Sequence, residues 1–170
     1  MNYKELIRDL PDYPVEGVVF RDLSTLWKEG DAFKKSIQDL VAMVKDLKVD
    51  KIAGIEARGF IIGSAMAYEM GLGFIPIRKK GKLPSETYME EYTLEYGVDF
   101  IEIHRDAVEP GEKVLIVDDL LATGGTTGAA VRLLRRFPDV EVLGAAYLVE
   151  LDFLKGREKL DVPVFSVIKY

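Results

Sequence analysis

The chain has 170 residues, with 29 acidic and 23 basic side chains, a formal net charge of −6, one histidine and no cysteine. A disulfide framework, a zinc-thiolate site and a cysteine nucleophile are therefore excluded. The acidic balance argues against a general nucleic-acid or membrane-surface binder, which presents a basic face, while leaving room for a local pocket that takes a small anion.

Hydrophobic residues make up 48% of the chain, and the apolar pattern continues to Tyr170 without a repeat, low-complexity tract or linker. One domain over residues 1–170 is expected. No apolar run approaches the roughly 20 residues that span a bilayer. The start, MNYKELIRDL, lacks the apolar stretch of a secretory signal, so the expected compartment is the cytoplasm.

In chain order, the opening residues suggest a short helix with Asn2 as N-cap and Glu5 three positions later, broken by Pro11 and Pro14. From Asp31, the spacing of Phe33, Ile37, Leu40, Val41, Val44 and Leu47 predicts a helix with one buried face. Lys51–Ile55 reads as a buried strand, and Glu56, Ala57, Arg58 and Gly59 as its turn into a helix that ends near Gly71. Trp27, Met66 and Met70 read as packing residues. Residues 73–78 form the next predicted strand. A long polar stretch at about 81–99, with Glu86, Glu90, Glu91 and Glu95 among its tyrosines, shows no core face throughout and is expected to be a mobile lid or binding loop. His104 is placed on a strand of the lid hairpin. Residues 114–117 predict a strand, 126–137 a helix, and 140–149 and 164–168 two further strands. Such alternation predicts an α/β fold with a mostly parallel central sheet of about five strands flanked by helices. Ligands of such sheets sit beyond the carboxyl ends of the strands.

The turn after Val117 is the most informative. In VLIVDDLLATGGTT, residues 114–127, an apolar strand gives way to paired acids, Asp118 and Asp119, expected where the chain emerges from the sheet. Adjacent carboxylates suit sugar hydroxyls or a hydrated cation. Ala122, Thr123, Gly124, Gly125 and Thr126 are small or hydroxylated and lead into a helix whose N-terminus carries partial positive charge. Together they describe a monophosphate cradle joined to a sugar site. No G-x-x-x-x-G-K-[ST] and no strand-borne G-x-G-x-x-G is present, so a P-loop and a dinucleotide fold are disfavoured. A ribose 5-phosphate group fits better.

These residues resemble the phosphoribosyl diphosphate (PRPP) motif of the type I phosphoribosyltransferase family. Further segments resemble its adenine-accepting branch: DYPVEGVVFRD (12–22), EARGF (56–60), IRKKGKLP (77–84), YTLEYGVDFIEIHRDA (92–107) and VELDFLKGREKL (149–160). The resemblance implies transfer of the 5-phosphoribosyl group from PRPP to N9 of adenine, giving AMP and diphosphate, with Mg2+ required and few or no direct protein ligands to the metal. It puts the 5'-phosphate on Ala122 to Thr126, the ribose hydroxyls on Asp118 and Asp119, and the diphosphate on Arg58, Arg78 and Lys82, leaving Lys79 and Lys80 as solvated charges. It further implies a hood over about residues 1–30, with Val19 and Arg21 offering main-chain groups to adenine and Phe20 stacking on the ring opposite Leu151. Glu95 is expected to handle the proton of the purine imidazole, and Tyr96 to close with the lid. A homodimer is expected, without nucleic-acid or membrane partners. Two alternatives share the PRPP turn: a phosphoribosyltransferase for another base, and a non-enzymatic nucleotide sensor. The second needs a basic nucleic-acid surface or an added DNA-binding segment, and neither is apparent in this acidic sequence.

Overall fold

Runs of branched apolar residues, separated by amphipathic helices, build the sheet at the centre of a computed structural model that describes residues 1–94 and 97–170. A 3-10 turn at Tyr3–Leu6 leads into strands β1 (Arg8–Pro11) and β2 (Val19–Asp22) and helices α1 (Ser24–Trp27) and α2 (Gly30–Val44). Next come β3 (Lys51–Ile55), α3 (Arg58–Met70), β4 (Gly73–Lys79), β5 (Thr87–Thr93) and β6 (Val98–His104). The chain finishes with β7 (Lys113–Leu121), α4 (Gly125–Leu134), β8 (Glu141–Glu150) and β9 (Val164–Lys169).

The main sheet has seven strands in the order β5-β6-β4-β3-β7-β8-β9, not the five expected, and β1 and β2 form a separate ribbon. The expected five are its parallel part, and the hairpin β5–β6 extends it antiparallel beside β4. The polar stretch thought to lack a core face is thus partly sheet, with Tyr92 buried on β5. His104 closes β6, as its expected strand position required. The opening helix is a single 3-10 turn, because the chain becomes strand at Arg8, before either proline acts. Asn2 donates to the Glu5 side chain at 2.7 Å without capping the turn's backbone.

Helices cover both faces of the parallel strands, which explains their continuous apolar runs. On one face Ile37, Leu40, Ile62 and Met66 pack with Ile52, Leu115 and Val117, joined at the edges by Trp27 and Met70. On the other, Ala129, Ala130, Leu133 and Leu134 of α4 meet Ala53, Ile55 and Ile116. Each fully buried Ile, Leu or Met side chain contributes about 1.5–3 kcal/mol from removal of apolar surface from water. Helix α3 ends at Gly71, whose φ of 67° is the left-handed conformation that terminates a helix at low cost in glycine.

The approach of α3 to the sheet depends on space at Gly54 and Gly63. A Cβ on Gly54 would stand 2.5 Å from the Phe74 ring and 3.1 Å from the Gly59 carbonyl, and one on Gly63 would stand 2.9 Å from the same ring. Phe74 is also held edge-on by Phe60 at 5.6 Å, so it has little freedom to yield. Gly54→Ala is therefore expected to cost about 1–3 kcal/mol through overpacking. A urea melt showing an unchanged midpoint would contradict this tight contact.

Candidate active site

A crevice opens where β7 loses one neighbour. Its pairing with β3 ends at Val117, whereas pairing with β8 continues to Leu121. The chain leaves β3 toward β4 and later returns on the opposite side of β3 as β7. The ends of β3 and β7 therefore meet at a topological switch point, the usual ligand crevice of such sheets.

Asp118 and Asp119 lie in the half-paired part of β7, inside the strand and not past its end as expected. Asp118 Oδ1 accepts the Asp119 N–H at 2.8 Å. Asp119 is only 2% exposed. Its Oδ2 stands 3.0 Å from Arg58 Nε in an ion pair, but the oxygen has no hydrogen-bond partner among the described residues. Burial pushes both carboxyls above the ordinary aspartate value. The Asp119 charge raises Asp118 further, and Arg58 opposes the rise at Asp119. Gly59 allows this close approach of α3, since a Cβ there would stand 2.8 Å from Asp118 Oδ1. Buried acceptors short of partners suit hydroxyl donors or a hydrated cation.

Past Leu121 the chain turns into α4. Ala122, Thr123, Gly124, Gly125 and Thr126 come together with Asp118, Leu120, Leu121 and Thr127 around a cavity of about 90 Å³. Gly124 occupies the N-cap with φ 85°. The free N–H groups of the first helical turn and the positive end of the helix favour an anion there. Behind the cavity, the fully buried Tyr147 shares a 2.5 Å hydrogen bond with the Thr127 hydroxyl. Burial pushes its phenol pKa up, which keeps the hydroxyl protonated.

Glu150, at the end of β8 beside Leu121, anchors the segment that follows. Arg157 Nε and Nη2 donate to its two carboxylate oxygens at 2.9 and 2.6 Å, and the Ser166 hydroxyl donates to Oε2. The Arg157 bonds, aided by Ser166 and Lys169, hold the Glu150 carboxyl down at about 2, from an ordinary 4.5, although burial opposes them. A lowered folded-state pKa contributes stability that is full above the ordinary value and is lost as pH falls toward the folded one. The difference in Tm between the native protein and Glu150→Gln should accordingly shrink as pH falls from 4.5 to about 2. A pH-independent difference would contradict this.

The cationic residues gather on the other wall. Arg78 Nε and Nη2 donate to Glu56 at 3.3 and 3.2 Å, and its Nη1 donates to the Lys82 carbonyl at 3.2 Å. Burial would raise the Glu56 pKa, but the Lys79 N–H and the Arg78 guanidinium outweigh it and hold it below the ordinary glutamate value, with the Lys82 charge contributing. Lys82 itself is exposed. Lys79 pairs with Asp99 at 2.9 Å and Lys80 lies 5.2 Å over the Phe100 ring. Both are thus occupied away from the acids.

From the hood, Phe20 stands between Tyr13, edge-on at 5.3 Å, and the Arg58 guanidinium, also at 5.3 Å, outside both core clusters. Arg58 thereby joins the hood to Asp119. The Arg21 side chain pairs with Asp9 and lies 4.0 Å over the Tyr170 ring. Val19 is exposed on β2. The Leu151 N–H donates to the Leu121 carbonyl at 2.9 Å, tying the end of β8 to the start of the glycine-rich turn. Glu95 and Tyr96 lie outside the described residues. Sequence reasoning missed Glu56, Tyr147 and the Glu150–Arg157 pair. Glu56 and Glu150 stood inside quoted motifs, but nothing local marks the partner of either.

A parallel sheet with an acid pair at its switch point, followed by a glycine-rich anion turn, defines a phosphoribosyl transferase domain, and residues 27–169 match that family. The adenine phosphoribosyltransferase of Rhizobium johnstonii is 56% identical over 167 residues, covering 96% of this chain and 92% of that protein. That of Brevibacillus brevis is 48% identical over 171 residues, covering 100% of each. The crystal structure of adenine phosphoribosyltransferase from Thermoanaerobacter pseudethanolicus matches with a TM-score of 0.95 at 48% identity, covering 98% of this chain and 97% of that one. The Saccharomyces cerevisiae enzyme, solved with adenine and an imino-altritol bisphosphate, matches with a TM-score of 0.91 at 40% identity, covering 96% and 95%. The chain belongs to the adenine phosphoribosyltransferase family.

Proposed function

We propose that residues 1–170 act as one phosphoribosyltransferase domain that moves the 5-phosphoribosyl group of PRPP to N9 of adenine, releasing diphosphate and forming AMP in purine salvage. The observation that carries this is the junction of a phosphate-sized cavity, at the N-terminus of α4 and bordered by Asp118, with the buried Asp119, whose Oδ2 is unpartnered among the described residues. The turn from Ala122 to Thr126 takes the 5'-phosphate and the acids accept from the ribose hydroxyls. Arg58, Arg78 and Lys82 take the departing diphosphate, whose negative charge grows as the sugar becomes oxocarbenium-like. For Arg78 this means exchanging Glu56 for a phosphate oxygen.

Magnesium fits beside the same acids, because the orphaned Asp119 Oδ2 is an acceptor that a water of a hydrated ion satisfies. When bound, the ion neutralises part of the diphosphate charge. The protein's own residues orient the sugar and hold the base. Phe20 and Leu151 enclose adenine, with main-chain groups of Val19 and Arg21 at its edge. A carbonyl there accepts from a 6-amino group but leaves a 6-oxo base with an unpaired acceptor. On the family resemblance, Glu95 handles the imidazole proton, and Tyr96, next to it in the sequence between β5 and β6, takes part in closing the site. A cytoplasmic homodimer completes the proposal on the family resemblance. No helix among the described residues is long and apolar enough to cross a membrane.

The test is direct. Purified protein is incubated with PRPP, magnesium and one nucleobase at a time, and the nucleotide is identified. AMP from adenine, with no product from guanine or hypoxanthine at equal concentration, is expected. Product from a 6-oxo purine alone would overturn the base assignment.

A further inference from the structure

The phosphate turn rests on a segment far along the chain. A Cβ on Gly156 would stand 2.2 Å from the Ala122 carbonyl oxygen, and one on Gly124 would stand 2.9 Å from the Gly156 carbonyl oxygen. Gly156 is absent from the left-handed glycines, so it is lack of space, not backbone conformation, that demands glycine here. The two backbones are in contact, and any shift of Gly156 is passed to the turn.

The next residue is what holds Gly156 in place. The Arg157 guanidinium is gripped by Glu150 through two bonds and donates through Nη1 to the Val164 carbonyl at 2.8 Å. Glu150 is 2% exposed and additionally takes the Ser166 hydroxyl. Because Glu150 pairs in register with Leu121, the grip ties the segment to β8 and, through it, to β7, which carries the acids. On the base side, Leu151 N–H donates to the Leu121 carbonyl and Asp152 N–H to the Tyr170 carbonyl, both at 2.9 Å, and neither bond uses the Arg157 guanidinium.

We propose that Glu150 and Arg157 are positioning residues for PRPP. By seating Gly156 against Ala122 and Gly124 they fix the backbone donors that receive the 5'-phosphate, with little influence on the adenine slot. This role rests on the function proposed above and specifies which part of the site the pair serves. A fork of two charge-assisted bonds holds an orientation that a point charge does not, which is why arginine is needed where lysine would keep the charge.

The experiment compares native protein with Gly156→Ala, which pushes a methyl at the Ala122 carbonyl, and Arg157→Lys, which keeps the charge but removes the fork. Steady-state constants for PRPP and adenine are measured well below each Tm, and ribose 5-phosphate binding is measured by calorimetry. KM for PRPP and Kd for ribose 5-phosphate should rise about tenfold in Gly156→Ala and about fivefold in Arg157→Lys, with KM for adenine within about twofold. If Arg157→Lys does not fold, Ser166→Ala removes one donor to Glu150 and should give a smaller change in the same direction. Folded variants that lose thermal stability yet keep both PRPP-side constants would overturn the proposal, as would variants in which PRPP and adenine constants rise together. Failure of the native protein to bind ribose 5-phosphate at all would instead overturn the phosphate-turn assignment itself.

Discussion

Gly124→Val is expected to lower kcat/KM for PRPP by about a hundredfold or more, a loss of roughly 2.7 kcal/mol in transition-state stabilisation. Two effects act together. The native φ of 85° is a conformation that a β-branched residue adopts only with strain. The new Cβ also begins 2.9 Å from the Gly156 carbonyl oxygen, so the turn must move, and the valine methyl groups intrude on the cavity. Far-ultraviolet circular dichroism separates loss of fold from loss of function. A folded variant with native activity would remove this turn from the phosphate site.

Asp119→Asn is expected to weaken PRPP binding by about ten- to a hundredfold, the cost of exchanging a charged acceptor for a neutral amide in a buried site. Asparagine keeps the shape but turns a nitrogen donor or a weaker acceptor toward the sugar. It also removes the counter-charge of Arg58, which lies 3.0 Å away, freeing a cation next to the Phe20 ring. Adenine binding in the absence of PRPP should change far less. Calorimetry showing unaltered PRPP affinity would take Asp119 away from the ribose.

What the sequence disclosed, and what it hid, follows from how local each signal was. Strands β3 and β7 were readable because both faces are covered and their residues are apolar without interruption. The anion turn was readable because small and hydroxylated residues follow one another directly. The hairpin β5–β6 was readable only at His104, and its strand β5 was not. The inward face of β5 carries Tyr88, Glu90 and Tyr92, and Glu90 is held there by Arg132 of α4 and Arg136 from the turn after it. A carboxylate in the middle of an alternation erases the pattern that would mark a strand. The ribbon β1–β2 is short and mostly exposed, held by Arg8 with Asp22 and Arg21 with Asp9 instead of by apolar contacts. In the site, the acids, the turn and the cationic residues were visible one by one. Their pairings were not, because Arg58 meets Asp119 and Arg157 meets Glu150 only after the sheet has assembled.

The one-sided support of β7 beyond Val117 has a mechanical meaning. That stretch behaves as a cantilever, clamped along its β8 margin and free along the other, so rigidity and ligand access are supplied by opposite edges of one strand. Changes at Val149 act on the clamped edge and reach the ligand by bending the beam, whereas Tyr147 also touches the cavity wall through Thr127. Redesign of sugar or diphosphate preference is best directed at Glu56 and Ala57, because Gly59 has no room for a Cβ beside Asp118 and Arg58 is committed to Asp119.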